Sequence, residues 1–150
     1  MTFQLIYSSV SSTPMQMDEL EELLEHAQSS NPGHGITGAL VYADGHFLQI
    51  LEGERGAVLD LMDRIAKDLR HETIAVLQAG DVPRPAFAAW EMAYVSATPQ
   101  QVAQWAGLTA SVQLPEVWAD IREDPARAAQ LTQSILGVLV GEAGPGATPP

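Results

Sequence analysis

The chain has no cysteine. Disulfide staples, thiolate nucleophiles and thiolate metal sites are therefore excluded together. Positive charge is scarce as well: seven Lys and Arg stand against nineteen Asp and Glu, which leaves a formal net charge of -12 and a sequence pI near 4.4. Such a field repels phosphate backbones and anionic headgroups, so neither nucleic acid nor a membrane surface is an expected partner. Long apolar runs are missing too. Residues 135–140 form only a short run, broken by Gly137, where a bilayer span needs roughly 18–20 residues. Met1-Thr2-Phe3-Gln4 lacks the basic start and apolar stretch of a signal peptide, which makes a cytoplasmic location the expectation.

What is present is core-forming material. With 150 residues, 46% hydrophobic and 17% charged, the chain is expected to fold as one domain with little left over. Residues 3–9 alternate as a strand, with Phe3, Leu5 and Tyr7 on one face. Thr13-Pro14-Met15-Gln16 has the spacing of a helix start, and Leu20, Leu23, Leu24 and Ala27 repeat at helical intervals, so a helix is predicted over 14–30. Asn31-Pro32-Gly33 stops it. Two apolar runs, 36–42 and 47–51, flank Ala43-Asp44-Gly45-His46, and Asp-Gly between such runs signals a hairpin. Val58, Leu61, Met62, Ile65 and Leu69 place a second amphipathic helix over 56–69. Residues 73–78 and 90–95 read as two more strands, separated by Pro83-Arg84-Pro85.

The order β-α-β-β-α-β-β contains a ferredoxin-like βαββαβ unit and one further strand. The expected fold class is α+β, a five-stranded mixed sheet with both helices on one face. Residues 98–107 and 125–139 are predicted as further helices whose Val102, Trp105, Leu131, Ile135 and Leu136 cover the opposite face. The final segment, 141–150, lacks helix formers and is expected to be disordered.

Most chemistry is poorly served by this sequence. His26, His34, His46 and His71 are scattered without metal-ligand spacing, so no metal site is expected. Ser8, Ser9, Ser11 and Ser12 lack a nucleophile-elbow context. Gly33, Gly35 and Gly38 precede a strand, whereas a dinucleotide-binding glycine loop follows a strand and opens a helix. The residues that resist a bland account are Gln49 and Tyr7. Gln49 falls on the same strand face as Phe47 and Leu51, and a buried amide left without partners costs about 1–3 kcal/mol. Tyr7 shares the apolar face of the first strand with Leu5, and its hydroxyl can donate to or accept from such an amide. By themselves these two describe a structural Tyr–Gln pair. Asn31 closes the first helix, and Arg64 and Asp68 lie four apart on the second, where a helix cap and a surface ion pair are the ordinary roles.

Taken together these positions resemble the BLUF family of flavin-binding blue-light sensors. The matching residues are Leu5-Ile6-Tyr7-Ser8-Ser9, then Asn31 with Gly35-Ile36-Thr37-Gly38, and then Gly45-His46-Phe47-Leu48-Gln49-Ile50-Leu51-Glu52-Gly53. Asp68-Leu69-Arg70-His71 and Phe87-Ala88-Ala89-Trp90-Glu91-Met92 follow. The resemblance runs in order from about Phe3 to Val95 and implies an isoalloxazine ring held between the two helices. It further implies that Gln49 bridges the Tyr7 hydroxyl and the flavin N5 and C4 carbonyl. Light would then drive electron and proton transfer from Tyr7 and leave Gln49 rotated or tautomerised beside a slightly red-shifted flavin. Asn31, Arg64, Asp68 and His71 match family positions around the flavin, and Trp90 and Met92 match a strand-five pair thought to respond near Gln49. The chain departs from the pattern at Gln28, where the family often carries Arg.

The implied protein is a photoreceptor and not an enzyme. It binds one flavin noncovalently, FAD foremost, with FMN or riboflavin as alternatives. Its sensor domain spans 1–96, an output segment spans 97–140, and signalling passes to an unidentified protein partner, with a homo-oligomer as the expected assembly. Two readings from other classes stand beside it. One is a ferredoxin-like hydrolase of small acyl or phosphorylated substrates, with Arg64 and Asn31 clamping an anion. The other is a flavin-free regulatory module that dimerises through its sheet.

Overall fold

The structure is a computed structural model that describes residues 2–11, 35–67, 71–88, 93–108 and 113–141. The helix predicted over 14–30, together with Asn31, Asp68, Trp90 and Met92, lies outside the described residues. Five strands form one sheet: β1 Thr2–Ser11, β2 Thr37–Ala43, β3 His46–Gly53, β4 His71–Val82 and β5 Ala93–Ser96, in the order β4-β1-β3-β2-β5. The β1–β3, β1–β4 and β2–β3 pairs are antiparallel and β2–β5 is parallel, so the sheet is mixed, as its element order requires. Between β2 and β3 the predicted hairpin turn is closed by Asp44 at φ 47° and Gly45 at φ 79°. Two successive positive φ values match the right-handed twist of the flanking strands.

Helix α1, Arg55–Ala66, follows β3 directly. Glu54 caps it, its carboxylate accepting from the Gly56 and Ala57 amides at 3.0 Å each, and those two bonds hold its pKa below the ordinary carboxylate value. The helix predicted over 56–69 therefore starts at Arg55 and is capped at Lys67. Beyond β5 come α2 Pro99–Trp105, α3 Leu114–Glu123 and α4 Pro125–Gly141. Helix α2 begins where Thr98-Pro99 predicts, with the Gln101 amide and the Thr98 hydroxyl 3.1 Å apart in a capping box. Helix α3 is an addition to the sequence reading. Strand β4 also outruns its predicted span of 73–78 at both ends, and the described part of β5 is Ala93–Ser96 rather than 90–95.

Strand alternation divides the interior into two cores. One face of the sheet carries Phe3, Leu5, Tyr7, Leu40, Phe47 and Leu51, packed with Val58 and Leu61 of α1. The other carries Ile6, Ala39, Val41, Leu48, Ile50 and Leu77, packed with Val102, Val117, Ile121, Leu131 and Ile135 of the three C-terminal helices. Those helices thus cover the face opposite α1, as expected from their unpartnered apolar residues. That face is therefore not open to a dimer through the sheet, the third reading above. Among the described residues no helix is long and apolar enough to cross a membrane.

Candidate functional site

Two polar side chains stand on the α1 side of the sheet, where the pattern is otherwise apolar. Tyr7 of β1 and Gln49 of β3 are direct cross-strand partners on adjacent central strands, 2% and 4% exposed. The Tyr7 hydroxyl donates to Gln49 Oε1. Registry accounts for the meeting: antiparallel neighbours in register bring both side chains to the same face, within reach of each other. Leu5, Phe47 and Leu51 flank the pair along its two strands, Leu40 of β2 lies beside Gln49, and Val58 and Leu61 approach from α1. The result is a phenol and an amide set into an apolar wall, each able both to donate and to accept.

The remaining predicted site residues fare differently. Arg64 lies on an exposed part of α1. His71 opens β4, with its side chain outside the description. Asn31, Asp68, Trp90 and Met92 fall outside the described residues. Tyr94 of β5 packs on the Tyr7 side of the sheet, and burial pushes its hydroxyl pKa up from the ordinary value. Among the described residues no three His, Asp or Glu gather as metal ligands.

One residue that the sequence reading quoted only as part of a matching motif has a role of its own. Glu52 is 0% exposed, yet its carboxylate is well supplied with donors. The Ala86 and Phe87 amides approach it at 2.7 and 2.9 Å, and Gln4 Nε2 and the Thr37 hydroxyl at 3.1 and 3.3 Å. Gln4 and Thr37 are its two cross-strand partners. Glu52 thereby ties the turn after β4 to the end of the central strand that carries Gln49. Glu52→Ala leaves two backbone amides without their acceptor, and at about 1–3 kcal/mol for each group the loss is expected to total about 2–6 kcal/mol. Urea titration followed by circular dichroism measures it; a change below about 0.5 kcal/mol would show that water replaces the carboxylate freely. Gly38 is a second fixed point, because a Cβ there would overlap the Ile50 carbonyl oxygen, next to Gln49. That close approach explains the glycine that ends the Gly35-Ile36-Thr37-Gly38 motif.

The family profile described as "BLUF: Sensors of blue-light using FAD" matches residues 2–93. The chain belongs to the BLUF family. Among its relatives, photoactivated adenylate cyclase subunit beta of Euglena longa is 32% identical over 99 residues, 66% of this chain and 11% of that protein. The alpha subunit of Euglena gracilis is 40% identical over 76 residues, 50% of this chain and 8% of that one. The chain thus spans about a tenth of the length of these curated relatives. Among solved structures, BlrB, a BLUF protein in its dark state, superposes with a TM-score of 0.71 at 25% identity, covering 91% of this chain and 96% of that one. BlsA in its photo-activated state gives 0.73 at 26% identity, covering 91% and 95%. The family description is that of a blue-light sensor, and nothing in it supports the hydrolase reading.

The described residues also suit the group that the family uses. A flat heteroaromatic ring with polar atoms along one edge needs an apolar wall and a few donors and acceptors aimed at that edge. The sheet face around Tyr7 and Gln49 has that composition.

Proposed function

We propose that this BLUF chain is a blue-light photoreceptor whose switch is the Tyr7–Gln49 pair, held against a noncovalently bound oxidised flavin. The observation that carries the reading is the buried hydrogen bond from Tyr7 to Gln49 on the two central strands. Tyr7 and Gln49, with Asn31, Arg64, Asp68 and His71, would hold the flavin, FAD foremost. A bound flavin supplies the blue absorption and, once excited, a strong electron acceptor. Tyr7 would be the donor of an electron and of its hydroxyl proton to that acceptor, and both would return to it. Gln49 is left rotated or tautomerised. An amide carries donor and acceptor on one group, so two networks of similar energy can be made from the same atoms, and light shifts the population between them. Trp90 and Met92, just before Ala93 in sequence, would respond next.

The sensor spans 1–96 and the segment 97–140 carries output to a protein partner, in a homo-oligomer. The packing of α2, α3 and α4 into the core beneath Ile6, Leu48 and Ile50 supports that division, because each of these residues neighbours Tyr7 or Gln49 in sequence.

The purified protein, reconstituted with FAD if needed, is expected to be yellow and to show a reversible red shift of its blue absorption band under blue light. The light-minus-dark spectrum checks this. A chain that stays colourless after reconstitution, or a yellow one without the shift, would overturn the reading.

A further inference from the structure

Helix α3 ends in a way its own backbone cannot satisfy. The carbonyl of Ile121 calls for the amide of residue 125, and residue 125 is Pro, which has none. The carbonyl of Arg122 calls for the amide of Ala126, which instead donates to Asp124 Oδ1 at 3.0 Å. Both carbonyls are taken up from outside the helix. Gln78 Nε2, on β4, donates to Ile121 O and to Arg122 O at 3.0 Å each.

Gln78 reaches them because of a defect in the sheet. Ile6 of β1 pairs with Gln78, whereas the next residue, Tyr7, pairs with Val76, so Leu77 and Gln78 together oppose Ile6. This is a β-bulge, and it breaks the alternation of side chains. Val76 opposes Tyr7 and Leu77 is buried in the core under the C-terminal helices. Strict alternation would return Gln78 to the Tyr7 side. The bulge keeps it on the side of α3, and it sits beside the tyrosine that forms half of the switch.

We propose that Gln78 is a positioning residue that couples the switch to the output segment: a shift of β1 at Tyr7 moves the bulge, and the bulge moves the last turn of α3 through the Gln78 amide. This rests on the photoswitch reading above and names the route by which that site is read. The Gln78 amide joins β4 to the last turn of α3 through two N–H···O bonds, and the route depends on them.

The test uses the full chain loaded with FAD, with hydrogen exchange followed by mass spectrometry in dark and in light and the red shift recorded on the same samples. In the unaltered protein, light is expected to speed exchange of peptides covering 114–126 by about threefold or more. Gln78→Met keeps the length and removes the donors. It is expected to retain the red shift, to raise dark exchange at the end of α3 at least about fivefold, since each of the two hydrogen bonds lost is worth about that factor, and to lose most of the light-induced difference. Gln78→Lys restores an N–H donor near the helix C-terminus and is expected to recover dark protection and part of the difference. A merely structural clamp would change dark protection and leave the light-minus-dark ratio alone, so an unaltered ratio in Gln78→Met overturns the proposal. A red shift in the unaltered protein with no light effect over 114–126 overturns it too, whether or not either variant folds, and leaves the photoswitch standing. Absence of the red shift in the unaltered protein overturns both.

Discussion

Gln49→Leu and Tyr7→Phe are each expected to keep the flavin and lose the reversible red shift, with light-minus-dark amplitude falling at least about tenfold. The two changes act on different atoms of one bond. Leu has nearly the volume of Gln and no polar atom, so the apolar wall around Phe47 and Leu51 stays filled while both amide functions vanish. Phe removes a single hydroxyl from Tyr7, which is 2% exposed, and with it the donor to Gln49 Oε1. Each variant removes a hydrogen bond between two buried groups and is expected to lose about 1–3 kcal/mol of stability, which a folded domain of about 5–15 kcal/mol survives. Flavin content is measured first, by absorbance after denaturation, so that loss of the chromophore is not mistaken for loss of switching. A normal photocycle in either loaded variant would show that the switch lies elsewhere in the pocket.

That pair is legible in the sequence alone, because a period of two puts Gln49 and Tyr7 among apolar neighbours, where a buried amide needs a partner. The Asp44-Gly45 turn was legible for an equally local reason, since few residues tolerate two positive φ values in succession. Glu52 was not legible. A glutamate near the end of a strand reads as a solvated one, and the donors that explain its burial lie 34 and 35 residues away in the turn after β4 and 48 away on β1. Gln78 was hidden by the bulge, a property of the pairing between β1 and β4 that no alternation within β4 reveals. Helix α3 is an intermediate case. Leu114, Val117, Trp118 and Ile121 carry helical spacing and Pro115 suits a first turn, but the lack of a Ser, Thr, Asp or Asn cap masks its start. The structure closes that end differently, with Glu116 reaching back to the Gln113 amide at 3.3 Å.

Deleting everything after Ser96 is expected to abolish the soluble, monodisperse form of the protein. The deletion uncovers Ile6, Val41, Leu48, Ile50 and Leu77, each no more than 3% exposed in the intact chain. Burial of such a side chain is worth about 1.5–3 kcal/mol, so five of them together rival the whole stability of a typical domain. They also form one contiguous apolar face, which invites association between copies. Tyr7 and Gln49 lie on the other face, so whatever remains soluble and loaded should still shift its spectrum under light. Size-exclusion elution in dark and light, beside the difference spectrum, reads both halves of the expectation. Leu131→Ala provides a graded version, because it opens a cavity in the same core while keeping the helices, at an expected cost of about 2–5 kcal/mol. A chain ending at Ser96 that elutes as the intact protein does, and photocycles normally, would show that the helices are dispensable to the sheet they cover. Their packing under Ile6 and Leu48 would then no longer support a role in output.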